Sequence, residues 1–290
     1  MNTKRLAAIS ILLLPIATAN AEPKLAPFHP GDKYEIERIS DSTQSSENGS
    51  TGSSHDKDTL SEHVIGARDT GVELEYDLPK SATAGDRSQN WQFPARVLKL
   101  QNGQVQLLNG PELEARVDIW LKRAKLPRSA CGHWIFTWNA FRIECDPQSV
   151  IQSIAAFDLQ PRDLRNGAMY QDAVALEPAQ LIEKSSTSGG STFEVVLVVD
   201  PEKVRKAEVD SDLVIAEISR EPLSRDAALI ARKAEQISGT IKLTFEMDSH
   251  GLVQRRTKLT KLEVKGADGK TEARTNTEIL ERRFISQQHH

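Results

Sequence analysis

Apolar and polar residues alternate along several segments of the chain, as they do in strands that bury one face. The clearest segment is VELEYDLP at 72–79, in which apolar and acidic residues take turns. The segment DKYEIERIS at 32–40 predicts a first strand in the same way. Apolar runs also flank Asn102–Gly103, a dipeptide typical of tight hairpin turns. These patterns predict antiparallel sheet with one buried and one wet face.

The last third of the chain predicts a meander of three antiparallel strands. GTIKLTFEM, LVQRRTKLTKLEV and TEARTNTEILERRF are separated by the glycine-containing turns DSHG and KGADGK. Upstream, the continuous apolar run FEVVLVVD at 193–200 predicts a buried strand, and we expect LVIAEIS at 213–219 to form another.

Helical periodicity occurs in three places. At 111–125 a proline in the first turn precedes an apolar stripe that includes Leu113, Val117 and Trp120. A second helix is predicted at 147–157, after the capping pair Asp146–Pro147. The alanine-rich segment 224–236 predicts a third helix.

Long polar tracts separate these elements. We expect residues 41–58 to form a mobile loop or the tip of a long hairpin, and 79–90 to form a second loop. The predicted fold class is therefore α+β: mainly an antiparallel curved sheet or half-barrel of long hairpins, with two or three helices and one disulfide. Residues 32–285 are predicted to form a single domain, with a sub-boundary near 184–192.

The N-terminus has the pattern of a secretory signal peptide at 1–21. Two basic residues precede the short apolar run 6–16, and Ala19-Asn20-Ala21 is a typical cleavage signal. Cleavage near Ala21 would deliver the chain to the periplasm or the medium. No later stretch reaches the roughly 18 apolar residues of a membrane span. An extended lead-in at 22–31 and a disordered tail at 286–290 complete this organisation.

Charge and motifs exclude several function classes. The net charge is −4, and loss of the two basic residues of the signal peptide makes it −6, which argues against nucleic acid as a partner. The sequence has no G-x-S-x-G elbow, phosphate-binding glycine loop or H-E-x-x-H motif. We therefore predict no catalytic residue, no metal and no cofactor.

Both cysteines, Cys131 and Cys145, lie in the segment CGHWIFTWNAFRIEC. Paired cysteines are typical of exported proteins, so we predict a disulfide between them. In a hairpin with Thr137-Trp138-Asn139 as its loop, the two cysteines face each other directly. The bond removes the free thiolate that a catalytic pair with His133 would need.

Several polar groups have both a functional and a structural interpretation. His55, Asp56, Asp58 and His63 could contact a metal ion or form a solvated loop, as could the pair Asp210 and Asp212. The carboxylates Glu73, Glu75 and Asp77 could perturb one another's pKa or simply form the wet side of a sheet. Arg255–Arg256 and Arg282–Arg283 could bind an anionic head group or pair with Glu278 and Glu281, and the pairing is favoured.

The chain resembles the half-barrel lipoprotein carriers of the bacterial periplasm in the arrangement of three segments. These are GDKYEIER, the loop-separated VELEYDLP and GTIKLTFEMDSHGLVQRRTKLTKLEV. It equally resembles uncharacterised exported β-rich bacterial proteins. The carrier resemblance implies a curved antiparallel sheet that covers helices and holds an acyl chain between them. It rests on no residue motif, so it assigns no site residue.

The favoured hypothesis is a non-enzymatic exported binding or carrier protein for an apolar or amphipathic ligand such as a lipid. The ligand would lie between the sheet and the helices at 111–125 and 147–157. Aromatic residues are only 5% of the chain, so its tryptophans are the candidate lining or core residues: Trp91, Trp120, Trp134 and Trp138. The alternatives are an envelope structural or protein-interaction module and a hydrolase with an unrecognised site.

Overall fold

A computed structural model describes residues 28–68, 70–136, 140–159 and 164–285. In chain order the strands are β1 (Lys33–Ser46), β2 (Thr51–Arg68), β3 (Gly71–Asp77), β4 (Ala95–Leu100), β5 (Val105–Leu107), β6 (Trp134–Phe136), β7 (Ala140–Arg142), β8 (Met169–Tyr170), β9 (Ala179–Gln180), β10 (Ile182–Thr187), β11 (Gly190–Val198), β12 (Gln236–Asp248), β13 (Val253–Lys265) and β14 (Thr271–Phe284). The α-helices are α1 (Ala84–Gln89), α2 (Gly110–Ala124), α3 (Val150–Ala155), α4 (Pro201–Ser219) and α5 (Arg225–Arg232). The signal peptide at 1–21 and the tail at 286–290 lie outside the described residues.

Ten strands form one antiparallel sheet in the order β10-β11-β12-β13-β14-β1-β2-β3-β4-β5. The first five strands of the chain form one half of this sheet and the last five form the other. The halves join where β1 pairs with β14, and Tyr34 lies opposite Phe284. The sheet is open, with β10 and β5 as its edge strands. The predicted α+β class with a large antiparallel sheet is confirmed, although the described residues form five α-helices where two or three were expected.

The polar tract at 41–58 forms the long-hairpin alternative. β1 continues to Ser46 and β2 begins at Thr51, so the turn occupies only 47–50. On its other side this part of β1 pairs with β14, from Ser40 opposite Glu278 to Ser46 opposite Glu272. Main-chain hydrogen bonds from two neighbours hold the strand, and these bonds do not require apolar side chains.

The predicted strand at 213–219 was wrong, because these residues form the last turns of α4. The helix begins after Asp200, whose carboxylate caps two backbone N–H groups, with a proline in its first turn. The predicted loop at 79–90 contains α1, which begins with a reciprocal capping box between Thr83 and Asp86. Residues 184–192 lie in the hairpin of β10 and β11.

The core lies against one face of the sheet. The strand register places Ile36, Leu74 and Ile241 on that face, and all three side chains are buried. The buried stripe Leu113, Val117, Leu121 of α2 packs into the same cluster, as do Val150 and Ile154 of α3. Among the described residues, no helix is both long and apolar enough to cross a membrane.

Candidate functional site

Two neighbouring cavities lie between α2 and the segment 77–94, which connects β3 to β4. The larger, of about 420 Å³, has an apolar wall of Trp91, Phe93, Ile119 and Trp120. The smaller, of about 290 Å³, shares Trp91 and Trp120 with the first and adds Arg142. We call the two together the tryptophan cleft. The larger volume falls within the range of about 300–1,000 Å³ that is usual for small-molecule sites.

Helix α2 positions one wall of the cleft. Arg116, Ile119, Trp120 and Arg123 line the larger cavity. They occur at i, i+3, i+4 and i+7, so they form one face of the helix. The buried stripe that begins at Leu113 is a separate row that anchors the helix to the core. The helix therefore uses one face for packing and another for the cleft.

The opposite wall is fixed by hydrogen bonds from arginine side chains to backbone carbonyls. Arg87 donates to Leu78 O and Pro79 O at 3.3 and 3.0 Å. Arg116 donates to Pro94 O at 2.8 Å, and Arg123 of the same helix donates to Ser88 O at 2.6 Å. The bonds of Arg116 and Arg123 tie α2 to the segment 77–94, so the two walls of the cleft are linked directly.

The three arginines of the larger cavity differ in their carboxylate partners. Arg87 donates to both carboxylate oxygens of Asp77, at 3.1 and 2.9 Å. Arg116 pairs with Glu112, one turn earlier on α2. Hydrogen bonds from Asn109 and then from Arg116 lower the pKa of the Glu112 carboxyl, which keeps it ionised. Within the described part of the chain, Arg123 has no carboxylate partner.

The structure brings together two of the four tryptophans proposed as lining residues. Trp91 is buried in the core cluster and Trp120 is half-buried beside it, and both border the two cavities. Trp134 is a half-buried residue of β6 and is not among the residues that line either cavity. Trp138 lies outside the described residues. A ligand-lining role remains a prediction.

The predicted disulfide between Cys131 and Cys145 is confirmed, with the two Cα atoms 5.6 Å apart. The predicted hairpin register is confirmed too, since Trp134 lies opposite Arg142 in the β6–β7 pair. The proposed loop at 137–139 lies outside the described residues. The bond closes the hairpin that carries Arg142 and Glu144, two residues of the smaller cavity.

The proposed metal ligands do not meet in a cluster. His55 pairs with Asp41 at 2.6 Å, and the strand register of β2 directs Asp56 and Asp58 to the opposite face of the sheet. Desolvation by burial lowers the pKa of His63, which favours its neutral form. The described residues contain no group of three or more side chains suited to a metal ion. Asp210 and Asp212 pair instead with two arginines of α5, Arg225 and Arg232.

The acidic face predicted on β3 is not simply wet. Glu73 is buried and pairs with both Arg68 and Arg96, while Asp77 pairs with Arg87. Glu75 is half-buried. Neighbouring basic residues thus neutralise two of the three carboxylates.

Three of the four arginines in the two pairs of the meander have carboxylate partners among the described residues, and one of these partners, Glu278, is among those favoured by the sequence. Arg256 contacts Glu278 at 2.7 Å across β13 and β14. Arg283 contacts Glu37 at 3.1 Å on the opposite face. These contacts link neighbouring strands of the sheet, and an anionic head group at the arginines stays a prediction.

One buried polar cluster has no signal in the sequence. Arg282 and Glu62 approach to 3.0 Å, and each side chain is only 2% exposed. The Tyr76 hydroxyl donates to the second oxygen of Glu62 at 2.7 Å, and burial raises the pKa of Tyr76 well above its usual value. The Arg282 guanidinium also lies over the rings of Phe28 and Tyr34, at 5.5 and 5.4 Å from their centroids. The members are far apart in sequence, so no local pattern could have indicated the cluster.

No known family model matches this chain, and no curated protein matches it. Among solved structures it is similar to lipovitellin, described for its lipid–protein interactions, with a TM-score of 0.43, 9% identity and coverage of 89% of this chain. The chain spans 25% of the length of that protein. It is also similar to an outer membrane channel from Pseudomonas putida F1, with a TM-score of 0.18, 8% identity, and coverage of 89% of this chain and 97% of the channel. At these TM-scores neither similarity carries an argument about function.

Proposed function

We propose that this protein is an exported, non-enzymatic binding or carrier protein whose apolar or amphipathic ligand occupies the tryptophan cleft. The observation that carries the proposal is the shared wall of Trp91 and Trp120, which borders two adjoining cavities beside α2. Aromatic walls with a few polar groups are typical of small-molecule sites. The disulfide of the described structure fits an oxidising, extracytoplasmic compartment.

The arrangement of α2 supports this proposal. Ile119 is 59% exposed on the wall of the cleft, although it lies next to the half-buried Trp120. An aliphatic residue exposed on the wall of a cavity contributes little to the folded state and gains contacts when a ligand covers it. The cleft therefore offers apolar surface to a ligand without weakening the core.

Native mass spectrometry of the chain purified from its own host tests the proposal directly. We expect a co-purifying small molecule with an acyl or other apolar part. A clean mass without ligand, together with a reproducible protein partner in cross-linking, would contradict the carrier proposal and favour an interaction module.

A matched pair of variants then tests the location of the site. Ile119→Asn places an amide on the wall of the cleft, and we expect it to weaken binding of an alkyl-chain probe about tenfold, since burial of an aliphatic side chain contributes roughly 1.5–3 kcal/mol. Ile215→Asn is the control, because Ile215 is also on a helix, is 60% exposed and lies outside the cleft. Equal weakening by both variants would place the binding elsewhere.

A further inference from the structure

The charge of the tryptophan cleft differs from that of the whole chain. The lining residues of its two cavities include four arginines and only two carboxylates, Asp77 and Glu144. Glu112 pairs with Arg116 although it is not itself a lining residue. When Glu112 is counted with the two lining carboxylates, the four arginines still exceed the carboxylates by one positive charge. The chain as a whole has a net charge of −4. The basic character is thus local to the cleft.

Arg123 is the arginine of the larger cavity with the most donors left to bind a ligand: among the described residues it makes one bond, whereas Arg116 makes two and Arg87 four. Arg87 uses its guanidinium on Asp77 and two carbonyl oxygens, whereas Arg123 makes one bond, from Nη1 to Ser88 O at 2.6 Å. A guanidinium has five N–H donors, so four remain on Arg123. The bond to the carbonyl holds the side chain in place, which lowers the entropic cost of binding a partner.

Apolar residues lie directly beside this charge. Ile119 and Trp120 precede Arg123 by one helical turn on the same face of α2, and all three line the larger cavity. A ligand with its charged end on Arg123 would therefore place its apolar part along Ile119 and Trp120.

The smaller cavity also combines the two tryptophans with an arginine. Arg142 donates from Nε to Gly132 O at 2.8 Å and has no carboxylate partner among the described residues. The neighbouring Glu144 uses one carboxylate oxygen to accept the N–H groups of Cys145 and Asp146, at 2.9 and 3.0 Å. Each of the two cavities thus has an arginine whose side-chain hydrogen bond, among the described residues, goes to a carbonyl.

We infer that the ligand of the cleft is an amphiphile with an anionic oxygen-acid head, a carboxylate or a phosphate, that binds Arg123 through charge-assisted hydrogen bonds while its apolar part covers Ile119 and Trp120. This inference rests on the proposed function of the cleft. Arginine is suited to both heads, because its planar fork matches the oxygen geometry of carboxylate and phosphate. A cationic amphiphile would meet uncompensated positive charge there.

Calorimetric titration of the full chain with four probes of equal chain length tests the inference, at concentrations below micelle formation. The probes are dodecanoate, dodecyl phosphate, the neutral glycerol ester of dodecanoate, and dodecyltrimethylammonium. We expect one or both anions to bind at least about tenfold more tightly than the neutral and cationic probes, which corresponds to about 1.4 kcal/mol. The two anions distinguish a carboxylate head from a phosphate head.

Variants of adjacent residues assign the effect to Arg123. Arg123→Gln should weaken the anions about tenfold and leave the neutral probe within about twofold, because a charge-assisted hydrogen bond is lost. Lys122→Gln is the matched control, since it removes the same charge from the same helix outside the lining, and should change little. Arg123→Lys keeps the charge and should retain the preference for anions.

The outcomes separate the inference from the proposed function. Equal binding of the anionic and neutral probes would overturn the inference and leave the carrier function standing. Equal losses in the variants of residues 122 and 123 would also overturn it. Failure of every probe to bind, in a chain shown by circular dichroism to be folded, would overturn both.

Discussion

The buried pair of Glu62 and Arg282 gives a prediction about stability that can be worked out in numbers. The two groups lie on β2 and β14, on either side of β1, and their charged atoms are 3.0 Å apart. At an effective dielectric constant of about 20, this distance corresponds to an attraction of about 5–6 kcal/mol, and the cost of burying both charges offsets much of it. The pair as a whole therefore contributes little to the free energy of unfolding, whereas either charge buried without the other lowers it.

Arg282→Met leaves the Glu62 carboxylate buried without its cation. We expect the free energy of unfolding to fall by about 3–5 kcal/mol, the usual cost of an uncompensated buried charge. Glu62→Gln should cost a similar amount, because it leaves the guanidinium unpaired. The double variant carries neither charge, and the amide can still accept the Tyr76 hydroxyl, so it should be more stable than Arg282→Met by about 2 kcal/mol or more.

Urea unfolding followed by circular dichroism measures all four proteins of this cycle, with the slope m compared among them to check that the unfolded states match. Tyr76→Phe is the control, because it removes one neutral donor and neither charge. The lost hydrogen bond should lower the free energy of unfolding by only about 0.5–1.5 kcal/mol, beyond the effect of its loss on the Glu62 carboxylate. Additive losses in the double variant would refute the argument, since they would mean that neither charge depends on the other for compensation.

Three further predictions concern the disulfide, a salt bridge and a turn. Replacement of Cys131 and Cys145 by serine should lower the free energy of unfolding, measured in urea, by about 2–4 kcal/mol. The disulfide joins residues 14 positions apart, and its loss gives the unfolded chain more conformational freedom. Added reductant should lower the free energy of unfolding of the native protein to the same value. Hydrogen bonding to its arginine partner on α5 lowers the pKa of Asp212, so the stability this group contributes is present at neutral pH and declines as the pH falls below about 4; the difference in urea midpoint between the native chain and Asp212→Asn should shrink from pH 6 to pH 3. Gly190→Ala should destabilise by about 1–3 kcal/mol in the same assay, since its φ is +144° and a Cβ would overlap a carbonyl oxygen of β12, whereas Gly189→Ala has room and should stay within about 1 kcal/mol of the native protein.

Alternation predicted those strands that bury one face, and it failed where both faces are wet. The predicted segment 72–79 overlaps β3 (Gly71–Asp77), and a register in which Cys131 faces Cys145 is the one that the β6–β7 pair has. The strand character of 41–58 was not visible as alternation, because long-range pairing with β14 decides it. The apolar run 213–219 suggested a strand, but it forms the C-terminal part of α4. This helix begins after its N-cap residue Asp200, and the helix start lies outside the apolar run that was interpreted.

The sequence could indicate the tryptophans of the candidate site but not its charge. Aromatic residues are rare in this chain, so Trp91 and Trp120 stood out as candidates for lining or core. Arg123 has the pattern of any basic residue on the wet face of a helix. What distinguishes it is that no carboxylate among the described residues reaches it, while Arg87 and Arg116 each have one. Such a difference in partners depends on tertiary contacts and has no local signature.

The position of β1 beside β14 sets the order in which the sheet can assemble. In each half of the sheet every strand pairs with the next strand of that half along the chain, so the two half-sheets can form before β1 and β14 meet, with α4 and α5 inserted between β11 and β12. The seam between them joins groups as far apart as Arg38 and Glu278, 240 positions along the chain, and such closure is slow. Until it occurs, each half presents an unpaired edge of 14 residues, which is a template for wrong pairing between molecules. Serine, threonine and charged residues fill the outer half of β1, and a polar edge of this kind disfavours wrong pairing between molecules before the seam closes.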